Sequence, residues 1–148
     1  MFRERPFENE DIGEFEGFVY LIVHLKTNKK YIGRKYFYAI RTVPGKGRRQ
    51  KIDSDWKHYY GSNKVLKEFI QKEGKENFKR IILSLHKTQG DCNYEEVKQQ
   101  FIRNVLEDDS YLNDNINGAW YRKPQHITDA RLYNNEFEEL NNTPTPKE

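Results

Sequence analysis

The chain has 148 residues, of which 33% are charged and 35% are hydrophobic, and its formal net charge is +3. This length fits one domain with a modest core, and no apolar run reaches the roughly 18 residues that would cross a bilayer. The only cysteine, Cys92, excludes an intramolecular disulfide and a cysteine-cluster zinc site. We therefore expect a single domain in a reducing, cytoplasmic setting, with no membrane contact.

A β-hairpin is predicted near the N-terminus. Aromatic and β-branched residues favour strands over about 18–25 and 30–33, and the polar residues between them favour a turn. Tyr20 and Tyr31 then become neighbours on paired antiparallel strands. Two phenols therefore face one site, and Arg41 follows ten residues after the second of them.

A helix is predicted from about Tyr36, which would include Arg41 and then be interrupted by a basic insertion over about 43–62. Over residues 26–57, eleven Lys or Arg stand against two Asp, an excess that suits a phosphate backbone. The alternative interpretation is a disordered surface loop with solvated lysines. The residues predicted to contact DNA phosphates or guanine edges are Lys46, Arg48, Arg49, Lys51 and Lys57.

Two amphipathic helices and a third strand are predicted next. The first helix covers about 63–72, with Gly74 as its C-terminal cap, and the strand covers 78–85. The second helix covers about 93–108 and places Glu96 at the margin between its buried face and a cleft. The apolar residues expected in the core are Val65, Leu66, Phe69 and Ile70 on the first helix, and Val97, Phe101, Ile102 and Val105 on the second.

The C-terminal part carries aromatic residues beside basic ones. Trp120 and Tyr121 precede Arg122 and Lys123, a pattern that permits stacking on a base but more often seals the edge of a core. The remaining residues are acidic and Asn-rich, so we expect a mobile tail with a short helix around 130–140.

The two tyrosine segments resemble the signature of the GIY-YIG nuclease superfamily. Tyr31-Ile32-Gly33 matches that signature as it stands, whereas Phe18 and Val19 replace the glycine and isoleucine before Tyr20. Further matches in order extend the resemblance over residues 17–118, and the combination is most similar to small phage-type homing endonucleases. These matches are Arg41, Tyr60 to Leu66 with its glycine-serine turn, Gly74 to Leu83, Tyr94 to Lys98 and Tyr111-Leu112-Asn113.

This resemblance implies an α/β (α+β) fold with a small three-stranded antiparallel sheet flanked by helices. The nuclease domain would cover residues 17–118 and contain the basic insertion. Residues 1–16 would form an N-terminal arm packed on it, because Pro6 and Gly13 argue against a long helix there. Residues 119–148 would form a C-terminal extension that ends in the mobile acidic tail.

The implied activity is metal-dependent hydrolysis of DNA phosphodiester bonds. Tyr20 and Tyr31 would surround the attacking water, one of them as general base or water-positioning group, and the sequence leaves open which one. Glu96, or alternatively Glu95, would hold Mg²⁺ (or Mn²⁺), an ion that prefers oxygen ligands. The alternative role for both acids is stabilisation of the first helical turn by the helix dipole.

The resemblance assigns further residues to this site. Arg41 would hold the scissile phosphate through its guanidinium fork. Arg34 and Lys35 would lower the pKa of a phenol or contact phosphate. Asn113 would be a structural or active-site hydrogen-bonding residue. Gly45 stands where some family members carry a histidine, so no histidine-dependent mechanism is assigned.

The expected partner is double-stranded DNA, bound by a monomer or a homodimer in the host cytoplasm if the protein is phage-encoded. Two alternatives remain open at this point. One is a catalytically inactive nucleic-acid-binding protein with the same fold, and the other is a structure-specific repair nuclease.

Overall fold

The computed structural model describes residues 5–42, 45 and 47–122. The predictions for Lys46, and for the tail and helix beyond Arg122, lie outside these residues. Neither α-helix of the described chain is long and apolar enough to cross a membrane. The elements in chain order are β1 (Gly17–His24), β2 (Lys30–Tyr36), β3 (Tyr38–Thr42), β4 (Arg49–Asp53), α1 (Lys64–Glu73), β5 (Phe78–His86), α2 (Gln89–Ile102), β6 (Asn115–Ile116) and β7 (Trp120–Tyr121).

β1 is the central strand of an antiparallel sheet with the order β2-β1-β5. Its sequence is almost entirely apolar, as is typical of a short strand buried on both faces. Phe18 and Tyr20 point to one side, where Leu66 of α1 packs, and Val19 points to the other, where Cys92 of α2 packs. The predicted fold, a small three-stranded antiparallel sheet flanked by helices, is confirmed.

The N-terminal residues lie against this sheet. The ring of Phe7 stacks on Phe37 with centroids 5.6 Å apart, and Ile12 is buried in the same cluster. Backbone bonds join Glu16 to β5 and to Phe37 at 2.8 and 2.9 Å. The arm therefore contributes apolar side chains to the core.

The helix predicted from Tyr36 is wrong. β2 continues through Tyr36, and Arg41 lies on β3. Residues 36–42 are rich in aromatic and β-branched types, which favour strands, and β4 provides the hydrogen-bonding partner for β3. Because this partner lies beyond a turn, the local sequence pattern does not reveal it. Part of the predicted basic insertion is therefore the second strand of a hairpin.

α1 confirms the first predicted helix. The side chain of Asn63 accepts a hydrogen bond from the N–H of Leu66 (3.0 Å), and Gly74 follows the helix with a φ of 90°. The prediction that Val65 lies in the core is wrong, because the helix turns this residue outward and 54% of it is exposed. The core side of the helix carries Leu66, Phe69 and Ile70.

α2 starts and ends earlier than predicted, at Gln89 and Ile102. The predicted burial of Phe101 and Ile102 is wrong, since they are 47% and 62% exposed. Phe101 lies on the opposite side of the helix from the buried Cys92, nine residues earlier. Val105 is buried as predicted, but it reaches the core from the chain that follows the helix.

Trp120 and Tyr121 form the short strand β7, and both are about half exposed. The ring of Trp120 stands edge-on to Phe101 with centroids 5.3 Å apart. Trp120 therefore covers part of the outer surface of α2.

The chain segment after α2 holds the outer edge of β2. Backbone bonds join Lys30 to Ser110 and to Leu112, both at 2.7 Å. The buried side chain of Asn113 accepts a hydrogen bond from the N–H of Ile32 (3.1 Å) and donates one to its carbonyl (2.8 Å). Asn113 therefore fixes the middle of β2 and the residues on either side of Ile32.

Replacement of Asn113 by alanine is expected to lower the free energy of unfolding by about 2 kcal/mol, because the buried N–H of Ile32 loses its partner, although the carbonyl of Ile32 keeps the hydrogen bond from Gln100 at 3.2 Å. Urea unfolding followed by circular dichroism measures the change. Gln71→Ala, on the exposed surface of α1, is the control and should change it by less than about 0.5 kcal/mol. An Asn113→Ala protein as stable as its parent would contradict this role.

Candidate active site

A cavity of about 900 Å³ lies beside β1 and β2. The start of α1, the middle of α2, the chain from Asn113 to Gly118 and the base of the β3–β4 hairpin complete its wall. Six of the seven predicted catalytic residues line it. They are Tyr20, Tyr31, Arg34, Lys35, Glu96 and Asn113.

Gly33 determines how closely the two predicted tyrosines approach each other. It pairs with Tyr20 across β1 and β2. A Cβ atom at Gly33 would lie 2.6 Å from Cζ of Tyr20 and 3.0 Å from Cε1 of Tyr31. The two ring centroids are 6.4 Å apart. The glycine of the Tyr-Ile-Gly segment is therefore a packing requirement of the site.

A third tyrosine, Tyr59, joins this pair. Its ring stands edge-on to Tyr20 with centroids 6.2 Å apart, and Nζ of Lys35 lies 4.0 Å from its centroid. Gly61 lies against the rings of Tyr20 and Tyr31, because a Cβ atom at Gly61 would be 3.5 Å from an atom of each. Its φ of 95° is a backbone conformation that favours glycine. The sequence did not predict Tyr59 as a site residue, although the segment that matches the family begins at the next residue, Tyr60.

Arg34 and Glu96 form a charged pair in the cavity wall. Nη1 of Arg34 lies 2.8 Å from Oε1 of Glu96, and its Nε donates to the hydroxyl of Tyr36 at 3.2 Å. Tyr36 donates in turn to the side-chain oxygen of Asn93, which lies about one turn before Glu96. Only 13% of the Glu96 side chain is exposed. Two polar contacts therefore join β2 to α2 at this wall.

The surroundings of the phenols favour their neutral form. Burial raises the pKa of Tyr20 and of Tyr31 far above its ordinary value, and for Tyr31 the charge of Glu96 adds to this effect. Burial also raises the pKa of Glu96, against the opposing effect of Arg34. The shift is opposite to the lowered phenol pKa expected from the sequence, because burial outweighs the nearby cations and Arg34 is already paired.

Arg41 and Glu95 lie outside the lining of this cavity. Arg41 is exposed on β3, opposite Gln50, because its segment is a strand and not the predicted helix. Glu95 accepts a hydrogen bond from Gln99 at 2.8 Å. Of the two candidate metal ligands, Glu96 is therefore the one whose side chain lines the cavity.

The described residues predicted to contact DNA lie on the β3–β4 hairpin and just after it. Arg48 and Arg49 are exposed and form no ion pair with a described residue. Lys51 and Lys57 form ion pairs with acids of the N-terminal arm at 3.2 and 2.9 Å. The two arginines are therefore the cations of this set that remain available to another partner.

Lys64 is a cation of the cavity to which the sequence assigned no role. It is the first residue of α1, is exposed, lines the cavity and forms no ion pair with a described residue. Its signal in the sequence is its place two residues after the matched glycine-serine turn. Lys64 therefore adds a positive charge to the wall that carries the tyrosines.

Glu96 is also the residue that could hold a divalent cation. The described ranges contain no cluster of three or more His, Cys, Asp or Glu that could enclose a metal ion. A single carboxylate beside an open cavity fits Mg²⁺, which keeps several waters and binds through one or two carboxylates together with substrate phosphates. Asp114 lines the same cavity and is its second carboxylate.

Gly33→Ala is expected to lower the free energy of unfolding by about 1–3 kcal/mol, because its methyl group overlaps the ring of Tyr20. Thermal unfolding measures stability, and near-ultraviolet circular dichroism reports the displaced tyrosines. Gly90→Ala is the control, since a Cβ there meets no atom within 4 Å. It should stabilise α2 by about 0.5–1 kcal/mol. Equal behaviour of the two variants would contradict the packing role of Gly33.

Comparisons with known proteins identify the family of this chain. A family model described as "Putative endonuclease segE, GIY-YIG domain" matches residues 1–116, which include both tyrosines and the Arg34–Glu96 pair. Comparisons with curated proteins and with solved structures each found no significant match. The family match extends over well more than half of the chain and includes the tyrosine motifs that predicted it. The chain therefore belongs to the GIY-YIG endonuclease family.

Proposed function

We propose that this chain is a free-standing, metal-dependent endonuclease of the phage homing type that hydrolyses phosphodiester bonds in double-stranded DNA. Its family supports a nuclease. The observation that carries the proposal is the single cavity that brings together Tyr20, Tyr31 and the Arg34–Glu96 pair.

The cations of the cavity suit a phosphodiester. Arg34 and Lys35 each share their charge with one carboxylate, at 2.8 and 2.7 Å, whereas Lys64 forms no ion pair with a described residue. A phosphate that enters the cavity would compete with those carboxylates for the cations. We assign the scissile phosphate to Lys64 and Arg34, because Arg41 lies outside the cavity lining.

Glu96 is our candidate ligand for Mg²⁺ or Mn²⁺. Movement of Arg34 toward the phosphate would leave the carboxylate of Glu96 without its partner, which is costly for a group that is 13% exposed. A divalent cation held by Glu96 would supply positive charge that stabilises the negative charge developing on the phosphate. Glu96 thus keeps a positive partner throughout.

Tyr31 is our candidate for the group that orients the attacking water. Both tyrosines line the cavity, but Tyr31 is half-buried, whereas Tyr20 is 1% exposed and packs in the core. Burial and Glu96 raise the pKa of Tyr31, so its hydroxyl is neutral in the free protein. To act as general base it would first have to release its own proton to solvent, a loss that compensation of the Glu96 charge would favour, before it accepts a proton from the attacking water.

Glu96→Gln is expected to reduce nicking of supercoiled plasmid at least about 100-fold with Mg²⁺, because it removes the charged ligand but keeps the side-chain shape. Binding of linear duplex DNA should be retained, and EDTA should stop the parent. Glu95→Gln is the matched control and should remain active.

Two other outcomes would change this proposal. Full activity of Glu96→Gln together with loss in Glu95→Gln would move the ligand to Glu95. Salt-sensitive binding by the parent without cleavage in any divalent ion would instead indicate a catalytically inactive DNA-binding protein. A comparison of branched, nicked and linear duplexes distinguishes a structure-specific repair nuclease from a site-specific one.

Tyr31→Phe is expected to slow single-turnover cleavage at least about 100-fold, the usual contribution of a group that transfers a proton. Tyr20→Phe is the matched variant and should slow cleavage less than about 10-fold. Rapid-quench measurement at saturating protein separates this step from binding. A larger loss in Tyr20→Phe than in Tyr31→Phe would assign the water to Tyr20.

A further inference from the structure

The β3–β4 hairpin, here called the β-ribbon (Tyr38–Thr42 and Arg49–Asp53), stands apart from the three-stranded sheet. Among the residues that the structure describes, its strands pair only with each other. The base of the ribbon is tied to the domain, since Tyr38 packs against the core and Nζ of Lys51 lies 3.2 Å from Glu16. Farther out, Arg41 and Arg49 are exposed and Gln50 is half-buried. The ribbon therefore presents a two-stranded surface to solvent.

Strand register places the side chains of the ribbon on two faces. Arg41 lies directly opposite Gln50, and Ala39 lies opposite Ile52, so these four residues share one face. Tyr38 and Lys51 lie on the other face, where the ammonium group is 4.2 Å from the ring centroid. The face opposite the Tyr38–Lys51 contact therefore carries Arg41 and Gln50 side by side.

Arginine and glutamine are side chains that read purines through two hydrogen bonds. Arginine pairs with O6 and N7 of guanine, and glutamine pairs with N6 and N7 of adenine. Opposite residues in an antiparallel pair have Cβ atoms about 5 Å apart, and two long side chains can converge from that separation on base pairs roughly 3.4 Å apart. The major groove of B-DNA is about 12 Å wide and admits a two-stranded ribbon. The side chains of Arg41 and Gln50 therefore match the hydrogen-bonding edges of two neighbouring purines in that groove.

We propose that the β-ribbon enters the major groove of duplex DNA and that Arg41 and Gln50 read adjacent base pairs there. This inference rests on the proposed function, which makes DNA the substrate. It changes the role of Arg41 from a clamp on the scissile phosphate to a determinant of the target sequence.

The two ends of the ribbon support this placement. At the outer end, Arg48 and Arg49 are exposed and can contact the phosphates that border the groove. At the inner end, Tyr38, Ala39 and Ile40 line the cavity. A duplex held by the ribbon therefore passes the cavity that contains the tyrosines.

The charge of the ribbon favours DNA over a second copy of this chain. The ribbon carries three basic residues, Arg41, Arg49 and Lys51, against one acid, Asp53. Edge-to-edge pairing of two ribbons would bring these like charges together, which is unfavourable. A polyanion neutralises them and releases its condensed counterions.

The test is selection of bound duplexes from a random-sequence pool, with Glu96→Gln as the parent so that no DNA is cut. We expect the parent to enrich a motif with a G·C pair beside an A·T pair. In Arg41→Ala, the preference for guanine over other bases at its position should fall about 5- to 150-fold. In Gln50→Ala, the preference for adenine at the neighbouring position should fall by a similar factor. Lys79→Ala removes an exposed charge from β5, away from the ribbon and the cavity, and should keep the whole motif.

A second arm separates base contacts from phosphate contacts. The double variant Arg48→Ala/Arg49→Ala should bind all sequences more weakly and reduce the slope of log K against log salt by about 1.8, while the motif stays the same. An unchanged motif in Arg41→Ala and Gln50→Ala, or no motif in the parent, would overturn the proposal. Self-association of the free protein that Arg41→Ala abolishes would also overturn it. Because the readout is binding, the result does not depend on cleavage.

Discussion

The approach of the Tyr20 ring to the backbone of Gly33 is the contact on which the rest of the site depends. Tyr20 and Gly33 are paired across β1 and β2, and the ring of Tyr20 lies over the backbone of Gly33. The missing side chain at Gly33 lets Tyr20 and Tyr31 lie close together. Asn113 holds the outer edge of β2 through Ile32, so Tyr31 lies on a strand that is held on one side by β1 and on the other by Asn113.

In the protein without substrate, the charges of the cavity are paired and its phenols are neutral. Arg34 and Glu96 neutralise each other, and the pKa values of both Tyr20 and Tyr31 are raised by burial. A phosphate that engages Arg34 would release Glu96 to bind a cation, which would in turn relieve one of the charges that keep Tyr31 protonated. On the proposed function, the site would become competent only when substrate and cation are both present. Such coupling would limit unwanted hydrolysis.

The sequence predicts the parts of this fold that depend on local patterns. Alternating and continuous apolar runs identify the three sheet strands, and Asn63 and Gly74 mark the ends of α1. The hairpin that carries Arg41 depends on pairing with a strand beyond a turn, so its first strand was predicted as a helix. Tyr59 reaches the cavity through tertiary packing on Tyr20, which no spacing in the sequence encodes. The direction of the phenol pKa shifts likewise depends on burial, which the sequence does not supply.

The most direct test of the central claim is a crystal structure of the protein bound to duplex DNA and Mn²⁺, with the ion located by its anomalous scattering. We expect one ion within about 2.2 Å of a Glu96 oxygen, a DNA phosphate between that ion and the hydroxyl of Tyr31, and Arg34 turned toward the phosphate. DNA bound on another face, or an ion and phosphate both far from Glu96, would contradict the assignment of this cavity as the cleavage site.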